Sequence, residues 1–181
     1  QDRSGRVPAK LFDQAEKARE LFDEGDFVKV EGAVEVFEGR RELLVSKIRR
    51  VDPDRDREQG FREEDCVPCA PRPIDEMWAE LRARIADVGH PGLRALLTRV
   101  AEDHGERLRV WPAAMLVHHA YRGGLLEHVL QVARVADALA GLYGADRDLV
   151  FAGAMLHDIG KLQELEYERA ASYSFEGTLV G

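Results

Sequence analysis

Apolar and polar residues alternate in the first third of the chain. From Val28 to Val36 every second position is a valine, except for Gly32, and most positions between them are charged. This period of two predicts a half-buried strand over residues 28–36. A turn at 38–40 and an apolar run over 43–51 predict a second strand. A third strand is predicted over residues 7–12, where the pattern is weaker. Residues 14–22 have the composition of a helix, and the lack of βαβ spacing favours a small barrel or sandwich.

An acidic, proline-rich stretch follows these strands. Residues 52–75 hold four of the seven prolines, and their four basic and eight acidic residues give a net charge of -4. Because no apolar period runs through this stretch, we expect a linker between two domains.

After the linker the apolar period changes to that of helices. Between residues 74 and 88, apolar side chains recur at three- and four-residue spacings, which is typical of an amphipathic helix. Helices are predicted at 74–88, 91–103, 112–120, 125–143 and 146–157, and residues 173–181 are predicted to be extended. The pattern therefore predicts an α+β chain of two domains, a partial β-barrel followed by an all-α helical bundle.

Composition narrows the classes of protein further. The chain has 181 residues, 45% of them hydrophobic, and a formal net charge of -8. No stretch approaches the ~18–20 apolar residues of a membrane span, so we expect no membrane partner. No signal-peptide pattern opens the chain, and two cysteines make no disulfide framework, so we expect a cytoplasmic location. Because the chain starts at Gln1 and stops at Gly181, we expect a window on a longer protein.

Two predicted helices carry residues that suit a metal ion. His128 shares the apolar stripe of its helix with Leu125 and Val132, and His157 and Asp158 end the next helix. Adjacent helices could aim these three side chains at one buried point, and imidazole with carboxylate suits Mn²⁺, Fe²⁺, Zn²⁺ or Mg²⁺. The spacing alone leaves an alternative open, since a single histidine on an apolar face is usually a hydrogen-bonded core residue.

Two sequence motifs resemble a known family. Gly-Gly-Leu-Leu-Glu-His (123–128) and Ala-Met-Leu-His-Asp-Ile-Gly-Lys (154–161) are similar to the HD-superfamily metal-dependent phosphohydrolases. More narrowly, residues 118–128 resemble the YhaM-type 3′–5′ exoribonucleases, which place an OB-fold nucleic-acid-binding domain before the HD domain. Residues 2–13, with the strands at 28–36 and 43–48, resemble parts of that OB fold.

The resemblance implies roles for the histidines, the aspartate and a lysine. His128, His157 and Asp158 match the early metal ligands of the family, which would hold one or two divalent ions, Mn²⁺ first, with Mg²⁺, Fe²⁺, Co²⁺ or Zn²⁺ as alternatives. Lys161 matches the lysine of the family motif, which would contact a phosphate or stabilise the transition state. The family's later ligands are expected beyond Gly181, and the first OB strand before Gln1.

A histidine pair precedes the glycines of the first motif. His118 and His119 match a pair near the metal or the substrate, and a structural pair on a short helix is the alternative. Gly123 and Gly124 are expected to let two helices meet closely beside the site.

The OB-like part carries a local basic cluster. Arg40, Arg41, Lys47, Arg49 and Arg50 lie within eleven residues that hold one acid, although residues 1–51 are neutral overall. With Phe12 and Phe37 as stacking surfaces, and Phe27 as a further candidate, they predict a site for single-stranded nucleic acid. The alternative is that the aromatic rings are core and the cations are solvated.

These observations predict an order of domains and a function. The expected order is a partial OB fold at 1–51, a linker at 52–75 and the N-terminal part of an HD domain at 76–181. The leading hypothesis is a metal-dependent exonuclease that degrades single-stranded RNA, and also DNA, to nucleoside 5′-monophosphates. The alternatives are an HD phosphohydrolase of nucleotides or cyclic dinucleotides, and a nucleic-acid-binding protein with a degenerate HD domain.

Cys66 and Cys69 have a C-x-x-C spacing without a second pair, so a zinc or redox role is not favoured.

Overall fold

A computed structural model of the protein describes residues 7–12, 18, 20–23, 25–167 and 171–180. The chain divides into two units, residues 1–68 and 69–181. The helix predicted over residues 14–22 lies largely outside the described residues. The assignment of 52–75 as a linker stays a prediction.

A three-stranded sheet forms the N-terminal unit. Strand β2 (Val28–Phe37) and strand β3 (Arg40–Arg50) pair antiparallel, and the short strand β1 (Ala9–Lys10) pairs parallel with β3. The order across the sheet is β1-β3-β2. The three strands overlap the predicted segments at 28–36, 43–51 and 7–12, although β1 has only two residues. Within the described residues they do not close into a barrel.

Two local features shape the β2–β3 hairpin. Glu38 and Gly39 both have positive φ, 50° and 76°, which is the backbone of the two-residue turns that match strand twist. A bulge follows Glu31, and a Cβ on Gly32 would lie 2.1 Å from the carbonyl oxygen of Leu44. The bulge therefore requires glycine at position 32.

The predicted buried face of β2 is largely uncovered. Val34 and Val36 are 66% and 70% exposed, and Val30 is also exposed. The alternation predicted the strand correctly, but the described residues supply no layer over its apolar side.

A short helix, α1 (Pro53–Arg57), follows the sheet. Asp52 caps it by accepting hydrogen bonds from the backbone N–H groups of Asp54 and Arg55. Asp56 turns inward and is 2% exposed. It accepts two hydrogen bonds from the Arg49 guanidinium, at 2.7 and 2.6 Å, and lies 3.4 Å from the Lys29 ammonium. This ion pair fixes the helix to the sheet. A 3-10 turn (Glu63–Asp65) comes next.

The second unit is mainly helical. Its helices are α2 (Ile74–Ala86), α3 (Pro91–Val110), α4 (Gly124–Tyr143), α5 (Arg147–Leu156), α6 (Lys161–Glu164) and α7 (Phe175–Val180). Strands β4 (Leu165–Tyr167) and β5 (Ala171–Tyr173) form an antiparallel pair. The core contains fully buried side chains from the first three of these helices, such as Met77, Leu97 and Leu126.

Helix α3 is seven residues longer than predicted. The buried stripe of this helix starts before residue 103, at Leu97 and Ala101. It continues past residue 103 with Gly105 and Leu108. A Cβ on Gly105 would lie 3.0 Å from the Trp78 ring, so a small residue is needed there. Because Leu108 is buried and Val110 is partly buried, the helix extends to Val110.

The helix predicted at 112–120 is wrong. Trp111 is extended, as a residue before proline prefers, and the chain then forms a loop to Gly123. The backbone N–H of Ala113 donates to the carbonyl of His119 at 3.1 Å, and His119 has a φ of 53°. Hydrogen bonds across the loop thus replace those of a helix.

The extended prediction for residues 173–181 holds only at its start. Tyr173 ends β5, and Ser174 then caps α7 by accepting from the backbone N–H of Gly177 at 2.9 Å.

No helix in the described part of the chain is long and apolar enough to cross a membrane. Cys66 and Cys69 form no disulfide.

Candidate metal centre and nucleic-acid surface

The loop between α3 and α4 presents its histidines next to the start of α4. Gly123 has a φ of 79°, and its backbone N–H donates to the carbonyl of Val110. A Cβ on Gly124 would lie 2.0 Å from the carbonyl oxygen of His119. The predicted close approach at the glycine pair is therefore between the loop and a helix, rather than between two helices.

His128 occupies the second turn of α4. Its neighbours Leu125, Leu126 and Val129 are buried in the core, while its own side chain is partly buried. Burial lowers the pKa of the His128 imidazole, against the opposing effect of the Asp158 carboxylate. The ring is thereby kept neutral, which is the form that binds metals.

His157 and Asp158 follow the last turn of α5, at the edge of the same space. His157 Nε2 lies 3.2 Å from His128 Nε2. Asp158 Oδ2 lies 3.4 Å from both of these nitrogens. The predicted convergence of the three side chains is present in the structure, and the three atoms form a nearly equilateral triangle.

The donor set and the size of this triangle fit a divalent ion. Its centre lies about 1.9 Å from each corner, slightly inside the usual metal–ligand distances of about 2.0–2.2 Å. The three side chains would therefore hold a divalent ion together. Two imidazoles and a carboxylate suit Mn²⁺, Fe²⁺, Co²⁺ or Zn²⁺ better than Ca²⁺.

The tautomer of His157 also fits a metal ligand. Its Nδ1 lies 2.9 Å from the carbonyl oxygen of Ala154. Because a carbonyl oxygen only accepts, Nδ1 carries the proton and Nε2 keeps its lone pair. A metal-binding histidine is typically oriented in this way.

The histidine pair of the loop lies beside His128. The ring centroids of His118 and His119 are 5.9 and 5.4 Å from that of His128. His118 is exposed, whereas the side chain of His119 is largely covered. The structure brings both rings to the candidate metal centre, on a loop and not on a short helix.

A buried acid and a phenol support His119. Glu127 Oε2 accepts a hydrogen bond from Tyr121 Oη at 2.5 Å and lies 3.1 Å from His119 Nδ1. Burial, and then the bond to Glu127, raises the pKa of Tyr121 to about 12, so the phenol stays a donor. The sequence interpretation missed both residues. The signal was available, since Glu127 is an acid inside the apolar run Leu125–Leu130.

Lys161 is the first residue of α6, and its ammonium forms an ion pair with Glu164. Its Nζ donates to Glu164 Oε2 at 2.7 Å, and its carbonyl accepts from the Trp111 indole. Among the described residues, no hydrogen bond or ion pair joins the Lys161 ammonium to the three candidate ligands.

The basic cluster of β3 is partly used within its own unit. Arg49 holds Asp56, Arg50 pairs with Asp26, and Lys47 lies 3.0 Å from Glu31. Arg40 and Arg41 are exposed and have no ion pair with any described residue. They are the cations with most freedom to meet a phosphate.

The candidate stacking rings differ in their surroundings. Phe12 and Phe37 are 77% and 58% exposed, and the Lys10 ammonium lies 5.1 Å from the Phe37 ring centroid. Phe27 instead packs edge-on against Phe61. Phe37 ends β2 next to Arg40 and Arg41, so a ring and two cations share the end of one hairpin.

Comparison with protein families assigns a class to each end of the chain. Residues 125–177 match the model of the HD domain, and residues 1–51 match the OB-fold nucleic acid binding domain. The chain therefore combines an OB-fold segment with an HD-domain segment. The α+β fold class predicted from the sequence is confirmed.

Individual relatives extend this similarity along the whole chain. The chain is 34% identical to the 3′-5′ exoribonuclease YhaM of Bacillus subtilis over 182 aligned positions. It is 32% identical to the proteins of the same name from Bacillus pumilus and Listeria innocua. The alignments cover 100% of this chain and 57% of each relative, so the chain spans little more than half their length. No solved structure matches the chain significantly. The predicted resemblance to the HD superfamily and to the YhaM-type exoribonucleases is confirmed.

Proposed function

We propose that the protein is a metal-dependent 3′–5′ exoribonuclease that releases nucleoside 5′-monophosphates from single-stranded RNA, with single-stranded DNA as a further substrate. The triangle of His128, His157 and Asp158 carries this proposal, because its size and donor set fit a divalent ion. The names of the similar Bacillus and Listeria proteins support it.

The three ligands would hold one or two divalent ions, with Mn²⁺ as the first candidate. A bound ion lowers the pKa of a coordinated water and offsets the charge of a phosphate. His118 is exposed beside His128 and would contact the substrate. Lys161 would bind a phosphate oxygen after leaving Glu164, and a pair three residues apart on one short helix is weak enough to exchange.

The N-terminal unit would bind the single-stranded nucleic acid. Arg40 and Arg41 would neutralise phosphates, while Phe37 and Phe12 would stack on bases. We propose residues 1–51 as the OB-fold domain, 52–75 as the linker and 76–181 as the HD-domain portion. A cytoplasmic location is also proposed, since a chain with two cysteines carries no disulfide framework.

The test is degradation of a 5′-labelled single-stranded RNA with Mn²⁺, together with a Mn²⁺ binding titration of the same preparations. His157→Ala and Asp158→Ala should abolish both shortening from the 3′ end and tight Mn²⁺ binding. His104→Ala, which changes a histidine on α3 outside the centre, is the matched control and should retain both.

Each alternative has its own outcome in this assay. Turnover of free nucleotides or cyclic dinucleotides in preference to the RNA would favour a phosphohydrolase of small substrates. RNA binding without turnover at any metal concentration would favour a binding protein. Undiminished activity of both ligand variants would refute the metal assignment.

A further inference from the structure

Glu127 is a buried carboxylate beside the candidate metal centre that the proposed mechanism does not use. It is 7% exposed, and among the described residues it pairs with no lysine or arginine. A buried carboxylate without partners is costly. Its contacts with Tyr121 and His119, at 2.5 and 3.1 Å, are therefore what stabilises it there.

These contacts define which nitrogen of His119 carries the proton. Tyr121 has one proton and donates it to Glu127, so its oxygen can only accept from His119 Nδ1, 2.9 Å away. The Glu127 oxygen that faces Nδ1 already accepts from Tyr121, and a carboxylate oxygen only accepts. Both neighbours of Nδ1 are then acceptors, and Nδ1 must be the N–H.

The other nitrogen of this ring is left open. No described residue makes a hydrogen bond to His119 Nε2, and this atom is not among the buried polar atoms that lack a partner. Solvent, or a substrate, can therefore reach it. In the neutral ring this nitrogen has a lone pair and accepts hydrogen bonds.

The position of His119 is set by its backbone as well. Its φ of 53° is unusual for a residue other than glycine, and its carbonyl accepts from the N–H of Ala113. The ring lies 5.4 Å from that of His128, but His119 is not one of the three side chains that converge on the metal centre. It stands beside the ion site instead of forming part of it.

We propose that Glu127 and Tyr121 are positioning residues that hold His119 as the Nδ1–H tautomer, so that Nε2 accepts a hydrogen bond from an O–H group at the metal centre. The inference rests on the proposed function. The O–H donor is either a ribose hydroxyl of the terminal nucleotide or the attacking water.

A first experiment needs neither metal nor activity. Long-range ¹H–¹⁵N correlation spectra of the metal-free protein, labelled at histidine nitrogens, show which ring nitrogen carries the proton. We expect Nδ1–H for His119 in the wild type and Nε2–H in Glu127→Gln, because the new amide can donate to Nδ1. Glu102→Gln, an exposed acid on α3, is the matched control and should leave the signals unchanged. A wild-type His119 protonated at Nε2 would overturn the proposal.

The second experiment measures kcat, KM and Mn²⁺ affinity on labelled RNA. Glu127→Gln should lower kcat about 10–100-fold, by analogy with the loss for groups that orient metal-binding histidines, while Mn²⁺ affinity stays within about twofold. Tyr121→Phe should lower kcat several-fold. This variant provides the test if Glu127→Gln does not fold. Tyr143→Phe, an exposed tyrosine at the end of α4, should have no effect. An unchanged kcat in Glu127→Gln, or a Mn²⁺ affinity that falls as far as kcat, would overturn the positioning role.

A substrate whose terminal ribose lacks its hydroxyls separates the two donors. If the donor is a ribose hydroxyl, this substrate should be slow with the wild type and lose little more with Glu127→Gln. If the donor is the water, the variant should slow both substrates equally. A wild type with the Nδ1–H tautomer that degrades no oligonucleotide would refute the proposed function and leave the positioning of His119 supported.

Discussion

Gly124→Ala should destabilise the C-terminal unit although it adds a single methyl group at the start of a helix. A Cβ at this position would lie 2.0 Å from the carbonyl oxygen of His119 and 2.8 Å from its carbon. Neither atom can move away freely, because that carbonyl accepts from the N–H of Ala113 and His119 already has a positive φ. The loop has to shift, and the hydrogen bond that closes it is lost.

The size of the effect follows from these contacts. Overpacking of this kind costs about 1–3 kcal/mol, and the lost hydrogen bond about 1 kcal/mol. The sum of about 2–4 kcal/mol corresponds to a fall in Tm of roughly 8–16 °C for a unit of this size. Since His119 moves with the loop, the contact of its ring with Glu127 should be lost as well.

Gly141→Ala is the matched control on the same helix. Its added Cβ meets nothing within 4 Å, so it should gain about 0.5–1 kcal/mol from the lower chain entropy of alanine in a helix. Thermal unfolding followed by tryptophan fluorescence is the assay, because Trp78 and Trp111 both lie in the C-terminal unit. The reasoning is refuted if Gly124→Ala unfolds at or above the wild-type temperature.

Two further predictions concern the N-terminal unit. Hydrogen bonds from Arg49 hold the pKa of Asp56 well below its ordinary value, so the ion pair stabilises the fold above about pH 4, the unfolded pKa of aspartate, and is lost as the pH falls towards the folded pKa. Acid titration by circular dichroism should show that Asp56→Asn is less stable at neutral pH and lacks this acid-dependent loss; an unchanged acid transition would contradict it. Arg40→Ala combined with Arg41→Ala should weaken binding of a single-stranded oligonucleotide, and should reduce the slope of log K against log salt by roughly 1.4, about 0.7 per phosphate contact. Fluorescence anisotropy checks this against Arg99→Ala on α3, which should match the wild type; equal slopes for all three proteins would exclude the hairpin as a phosphate site.

Most regular elements could be predicted from the sequence because their signals are local. The alternation at 28–36 and the helical stripes at 74–88 and 125–143 each lie within one element, and the structure has strands and helices there. His157 and Asp158 are adjacent, and His128 lies on the preceding helix. The convergence of these three side chains could therefore be predicted from two neighbouring helices, while the spacing alone left a hydrogen-bonded core histidine as the alternative.

The loop between α3 and α4 could not be predicted in this way. Residues 112–120 have a helix-like composition. In the structure, however, the carbonyl of His119 accepts a hydrogen bond from the backbone N–H of Ala113 and packs against Gly124. These contacts depend on how α3 and α4 are placed by the core. The same holds for Glu127, whose partner Tyr121 comes within reach only when the loop has closed.

The basic cluster of β3 shows why a count of charges does not define a binding surface. Arg49 donates two hydrogen bonds to the Asp56 carboxylate, which is 2% exposed, so its charge is committed to the fold. Lys47 pairs with an exposed glutamate and can exchange that partner for a phosphate at little cost. Arg40 and Arg41 have no ion pair with any described residue, so they would need no such exchange. The exposed ring of Phe37 lies at the same end of the hairpin as these two arginines, so a stacking contact and phosphate contacts would be available at one place.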